Sequence, residues 1–174
     1  MGRDRFKIFD TSFPYHITCT IRDWYSLFMN TDIVDIIYSS LKFLQNEDLL
    51  IYAYIIMENH LHLIAKSETL QTQIQRFKSY TATEILVYLK NFSHPQLLHN
   101  FKYINKITHS KHKLWEEGFH LKMIENVDIM AEKVKYIHEN PVRRGYIDNP
   151  ADWRYSSARN YEGQSGLLDV ITDW

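Results

Sequence analysis

His60, Leu61 and His62 set two imidazoles either side of one apolar residue, inside the run Tyr54-Ile55-Ile56-Met57-Glu58-Asn59-His60-Leu61-His62-Leu63-Ile64. Residues i and i+2 of a strand project from the same face, so both rings reach one point in space. A divalent metal ion is one occupant of that point, because neutral imidazole is a common metal ligand. Two half-buried strand histidines with ordinary hydrogen bonds satisfy the same spacing. The pair leaves both readings open.

A second set of reactive side chains lies near the other end of the chain. Residues 126–140 read as a helix that starts at the capping residue Asn126 and stops before Pro141. Val127, Met130, Val134 and Ile137 form its expected core stripe. At about 100° per residue, Ile129, Lys133, Tyr136 and Asn140 fall on a neighbouring stripe, at the edge of a helix–sheet interface. Tyr136 and Asn140 are one turn apart. A tyrosine hydroxyl beside a metal is a potential nucleophile, and an amide oxygen is a competent ligand. Amphipathic packing accounts equally for an edge tyrosine, and helix termination for an Asn before Pro. Lys133 shares the stripe and is a candidate to favour the phenolate. Two basic clusters could meet phosphates: Lys102, Lys106, His109, Lys111, His112 and Lys113 before Trp115, and Arg143 with Arg144 after Pro141. A solvated charged face gives the same pattern.

The elements that must position these groups follow from periodicity. Residues 15–22 are rich in β-branched and aromatic types and read as a strand. Residues 32–44 place Ile33, Ile36, Ile37, Leu41 and Leu44 at helical spacing, with Thr31 or Asp32 as the expected cap. Residues 48–57 and 60–66 read as two strands. Glu58-Asn59 is too short for a crossover, so they return antiparallel as a hairpin. Residues 70–90 form a long helix, apolar at Ile74, Phe77, Ile85 and Leu89. Pro95 marks a break, 97–107 suit another helix, and 115–124 suit a fourth strand. From 148 to 174 the chain reads as an irregular tail anchored by Trp153 and Tyr155. This order predicts an α+β, ferredoxin-like fold: an antiparallel sheet with the His pair on a central strand and helices covering one face.

With 174 residues, one domain over 1–174 is expected. Hydrophobic content of 45% and charged content of 24% suit a soluble globular chain. No apolar run approaches the length of a membrane span, and no signal peptide opens the chain, so a cytoplasmic location and no membrane partner are expected. The lone Cys19 excludes a disulfide framework and reads as buried and inert. A formal charge of −1 excludes a uniformly basic nucleic-acid surface, so any such surface is local. Twelve tyrosines and four tryptophans are enough to supply stacking platforms for bases as well as core.

Three segments resemble the REP-associated tyrosine transposases, a branch of the single-tyrosine HUH transposases. Residues 53–64 (AYIIMENHLHLI) are similar to the family's metal strand, and 75–81 (QRFKSYT) to its central helix. The most specific is 135–146 (KYIHENPVRRGY) followed by Asp152-Trp153-Arg154-Tyr155-Ser156-Ser157. Residues 115–120 (WEEGFH) resemble the strand before the catalytic helix, and the likeness spans roughly 15–161. It implies an HUH-type fold in which His60 and His62 bind a divalent metal, Mg²⁺ or Mn²⁺, with Asn140 as third ligand and Tyr136 as nucleophile. The implied reaction is cleavage and rejoining of single-stranded DNA, beside a hairpin, through a 5′-phosphotyrosine. The alternatives are a DNA-binding domain without chemistry, another HUH nickase such as a replication initiator or relaxase, and a hydrolase using water. Monomer and dimer both stay open. Many relatives have Pro where this chain has Glu58, and Gln or a charged ligand where it has Asn140.

Overall fold

A computed structural model describes residues 8, 10–92, 95–101 and 113–174. Four strands, β1 (Tyr15–Thr20), β2 (Leu50–Ile56), β3 (His60–Lys66) and β4 (His120–Met123), form one antiparallel sheet in the order β2-β3-β1-β4. Helix α1 (Thr31–Gln45) joins β1 to β2, and α2 (Leu70–Asn91) precedes β4 with the short α3 (Pro95–Asn100) between them. This is the expected ferredoxin-like βαββαβ order, with the His pair on a central strand. The β2–β3 hairpin closes where the Met57 N–H donates to the His60 carbonyl at 2.8 Å.

Helices α1 and α2 bury Ile33, Ile37, Leu41, Ile74, Phe77, Ile85 and Leu89 against Ile17, Cys19, Leu61 and Leu63 on one face of the sheet. The other face is covered as well, where the sequence order predicted helices on one. Helix α4 (Val127–His138) lays Met130, Val134 and Ile137 over Ala53, Ile55 and Ile64. Most of β2 and all but the last residue of β3 are buried, so both faces of these strands need a covering layer. Val127 departs from the expected stripe: it is 62% exposed in the first turn, and contact with the sheet begins at Met130.

Other boundaries moved for local reasons. Asn30, one residue before the expected caps, takes the start of α1, its side-chain oxygen accepting from the Asp32 N–H at 2.9 Å and the Ile33 N–H at 3.4 Å. Pro95 stands at the break between α2 and α3, as expected, and opens α3; the part of the expected helix beyond residue 101 falls outside the described residues. The fourth strand is shorter than predicted. Gly118, at φ 66°, turns the chain before it, and Trp115 makes only an isolated bridge to Ile21. Helix α4 ends at His138, and Asn140 opens a separate short helix, α5 (Asn140–Arg143). Pro141 sits in its first turn, where no intrahelical N–H bond is required.

The segment after Gly145 is more regular than a tail. It contains α6 (Ala158–Tyr161) and bonds along the free edge of β2: Ile56 N–H to Tyr155 O at 2.9 Å, Ser157 N–H to Tyr54 O at 3.0 Å, and Ile171 N–H to Ile51 O at 2.9 Å. Covering this edge satisfies backbone groups that would otherwise stand unpaired. Trp153 does act as an anchor, its indole N–H donating to the Ile56 carbonyl at 3.0 Å. Among the described residues no helix is long and apolar enough to cross a membrane.

Candidate active site

His60 and His62 project from the sheet face that carries α4, their ring centroids 4.7 Å apart, and both are buried. Asn59 determines the state of the first ring. Its side-chain N–H donates to the Trp24 carbonyl at 3.3 Å, which turns its oxygen toward His60 Nδ1, 2.6 Å away. His60 Nδ1 therefore carries the proton, and Nε2 keeps a free lone pair. His62 Nδ1 lies 2.9 Å from Thr18 Oγ1 and 3.2 Å from His16 Nε2. Thr18 Oγ1 and His16 Nε2 can each accept a proton from Nδ1, and in that tautomer Nε2 of His62 is free as well. Burial, then the charge of Arg144, pushes His60 down to about 4, against a smaller opposing effect of Glu58. Burial, then the neighbouring His60 and His16, pushes His62 down to about 2. Both rings are neutral at neutral pH.

Tyr136 arrives from α4. Its ring lies 5.5 Å from that of His62 and 6.0 Å from that of His16, both edge-on, and it is 39% exposed. Two cations flank it: the Arg143 guanidinium 4.5 Å from the ring centroid and the Lys133 ammonium at 5.9 Å. Arg143 also donates to the Tyr136 carbonyl at 2.6 Å, which ties α5 to the end of α4. Asn140 is buried, and its amide N–H points to the same carbonyl at 3.4 Å, leaving its oxygen for another partner.

Two adjacent neutral imidazoles suit a divalent cation, and of the expected donors Asn140 is buried with its amide N–H, not its oxygen, engaged at the Tyr136 carbonyl. Among the described residues no group of three His, Cys, Asp or Glu side chains is arranged to hold a metal. His16 does not add a ligand, because it meets His62 at Nδ1. Sequence reading passed over it, although His16-Ile17-Thr18 repeats the alternation of the His pair, and antiparallel pairing sets Thr18 opposite His62.

The basic candidates divide. Arg144 forms an ion pair with the buried Glu58, whose second oxygen, Oε2, has no hydrogen-bond partner. Arg143 stands at Tyr136, and Lys113 pairs with Glu117 at 2.8 Å. Lys102, Lys106 and Lys111, with His109 and His112, lie outside the described residues.

No protein-family model matches the chain, and no curated protein matches it. Among solved structures, the chain is similar to a REP-associated tyrosine transposase bound to a REP hairpin, with a TM-score of 0.69 and 15% identity over 100% of this chain and 94% of the other. The likeness is one of fold.

Proposed function

We propose that this chain cleaves and rejoins single-stranded DNA, with Tyr136 as the nucleophile. The observation that carries the reading is the approach of Tyr136, on α4, to the paired imidazoles of β3 on the same sheet face, its ring 5.5 Å from His62. The fold shared with a hairpin-bound transposase supports the substrate class.

The Tyr136 oxygen attacks a DNA phosphorus, a bond to the 5′-phosphate forms, and the bond to the 3′ oxygen breaks. Tyr136 gives up its phenolic proton as the bond forms, and the departing 3′ oxygen takes up one, so no net proton is released. The phosphotyrosine keeps the energy of the phosphodiester, so a 3′-hydroxyl of another strand can reverse the step and join new ends. Arg143 and Lys133 place positive charge where the attacked phosphate gathers negative charge. His60, His62 and Asn140 would hold a divalent ion, Mg²⁺ or Mn²⁺, which when bound supplies charge neutralisation and Lewis acidity. Asn59 holds His60 in the tautomer that leaves Nε2 free, and Thr18 and His16 meet His62 at Nδ1, away from its Nε2.

A denaturing gel of the protein with labelled hairpin DNA and Mn²⁺ tests this. A covalent protein–DNA band is expected. Tyr136→Phe removes one oxygen and should abolish the band while DNA binding persists. Cleavage without a covalent band would favour a hydrolase that uses water. An adduct that survives in the Phe variant would move the nucleophile to another tyrosine.

A further inference from the structure

Trp115 is buried, Trp153 is half-buried and Trp174 is 36% exposed with its indole N–H on the Tyr161 hydroxyl, but Trp24 exposes 61% of its surface. It stands beside the site just described, its ring 6.3 Å from that of His60. Successive ring neighbours lead from Trp24 through His60 and His62 to Tyr136, at 6.3, 4.7 and 5.5 Å. One end of this series is an uncharged, exposed indole. The other end carries the cations Lys133 and Arg143, which also meet the carboxylates of Glu132 at 2.7 Å and Glu139 at 3.5 Å. A nucleotide has the matching polarity, with an aromatic base at one end and a phosphate at the other.

The indole is held there against local preference. Asp23 and Trp24 adopt φ of 56° and 58°, consecutive left-handed residues with side chains, and among the described residues Asp48 is the one other non-glycine at positive φ. Such strain persists where the surroundings over-determine it. Here the Trp24 N–H donates to the Ile21 carbonyl at 3.1 Å, the Asp23 N–H to Glu116 Oε1 at 3.2 Å, and the Trp24 carbonyl accepts from Asn59. The Asn59 side chain that sets the His60 tautomer thus also fixes Trp24.

We infer that Trp24 is a stacking platform for an unpaired nucleobase of the strand whose phosphate Tyr136 attacks; the inference rests on the single-stranded DNA reading above. Every base has a π-face, so this contact adds affinity with little sequence preference. It also sets the strand's direction across the site.

Binding of two equally charged probes tests it: an oligothymidylate of about 20 nucleotides and an abasic deoxyribose-phosphate strand of the same length. Trp24→Leu, which keeps apolar bulk without a π-face, should weaken oligothymidylate binding about 10-fold and leave abasic-strand binding unchanged. Trp24→Phe should retain most of the affinity. Equal oligothymidylate affinity in wild type and Trp24→Leu overturns the platform, as does an equal loss on both probes. The adduct gel of the wild-type protein separates this outcome from the functional reading. An adduct with no dependence of binding on Trp24 removes the platform alone. A base-dependent role for Trp24 with no adduct keeps the platform and removes the cleavage chemistry.

Discussion

Asn59 and His16 show how much of the candidate site is carried by residues that would touch neither metal nor DNA. Asn59 uses both ends of its amide, one on Trp24 and one on His60. His16 and Thr18 meet His62 at Nδ1, the nitrogen a ligating ring would leave unused. Hydrogen bonds of this kind hold ring orientation and tautomer, and losing one commonly weakens metal affinity by about 10-fold or more. His16→Phe keeps an aromatic ring in the same space and removes the nitrogen. Titration with Mn²⁺ followed by electron paramagnetic resonance should show affinity reduced by about 10-fold, with the far-ultraviolet circular dichroism unchanged. Affinity equal to wild type would assign His16 to packing alone. At this scale the sequence was half legible. The same-face spacing of His60 and His62 is intrinsic to a strand. The part of His16 depends on strand pairing across 46 residues, which no local pattern states.

At the scale of elements, the junction between α4 and α5 decides where Tyr136 stands. Sequence reading ran one helix to Asn140, because Pro141 disfavours a helical predecessor. The chain instead stops α4 at His138 and starts again, with Pro141 in a first turn. Local preference allows both solutions; Arg143 on the Tyr136 carbonyl and Arg144 on Glu58 select the second. The apolar stripe of α2 was legible, since Ile74, Phe77, Ile85 and Leu89 are all buried and their period requires no tertiary information. The buried Gln73 and Thr81, by contrast, gain their places through partners elsewhere, the Glu47 carbonyl and the Trp115 indole. The Arg144–Glu58 pair ties α5 to the β2–β3 turn, and the Glu58 side chain is only 8% exposed. Arg144→Ala strands a buried carboxylate whose second oxygen is already unpartnered. The expected cost is about 2–4 kcal/mol, below the top of the range for broken buried pairs because Arg144 itself is partly exposed. Glu58→Gln in the same background removes the stranded charge and should restore part of the loss. Urea melts of the wild type and both variants measure this, and a cost within about 0.5 kcal/mol of zero for Arg144→Ala would show that the pair contributes little to stability.

For the whole molecule, burying neutral histidines on the α4 face links the fold to pH. His138, on the far side of α4 from Tyr136, lies with Nε2 2.8 Å from Ser157 Oγ and is pushed by burial down to about 4. His16 and His60 are also held down to about 4, each by burial first, and His62 to about 2. The unfolded chain titrates these rings near the ordinary 6.5, so between 6.5 and 4 it binds more protons than the folded one. Their contribution is therefore complete above about pH 6.5 and is lost as the pH falls toward 4. For His138 alone, the gap between 6.5 and about 4 corresponds to about 3 kcal/mol, of which about 2 are gone by pH 5. The site histidines contact one another, so their contributions do not simply add. Nothing in the sequence marks His138 for this role: it follows Ile137 on a helix and gains its environment only when Ser157 returns along β2. The urea midpoint should hold between pH 8 and 7 and fall steeply from pH 6 to 4. His138→Gln keeps a polar partner for Ser157 without a titrating ring, so the same fall should be shallower. A wild-type midpoint that does not change between pH 7 and 5 would mean that these rings take up protons without unfolding, and that the α4 face admits water freely.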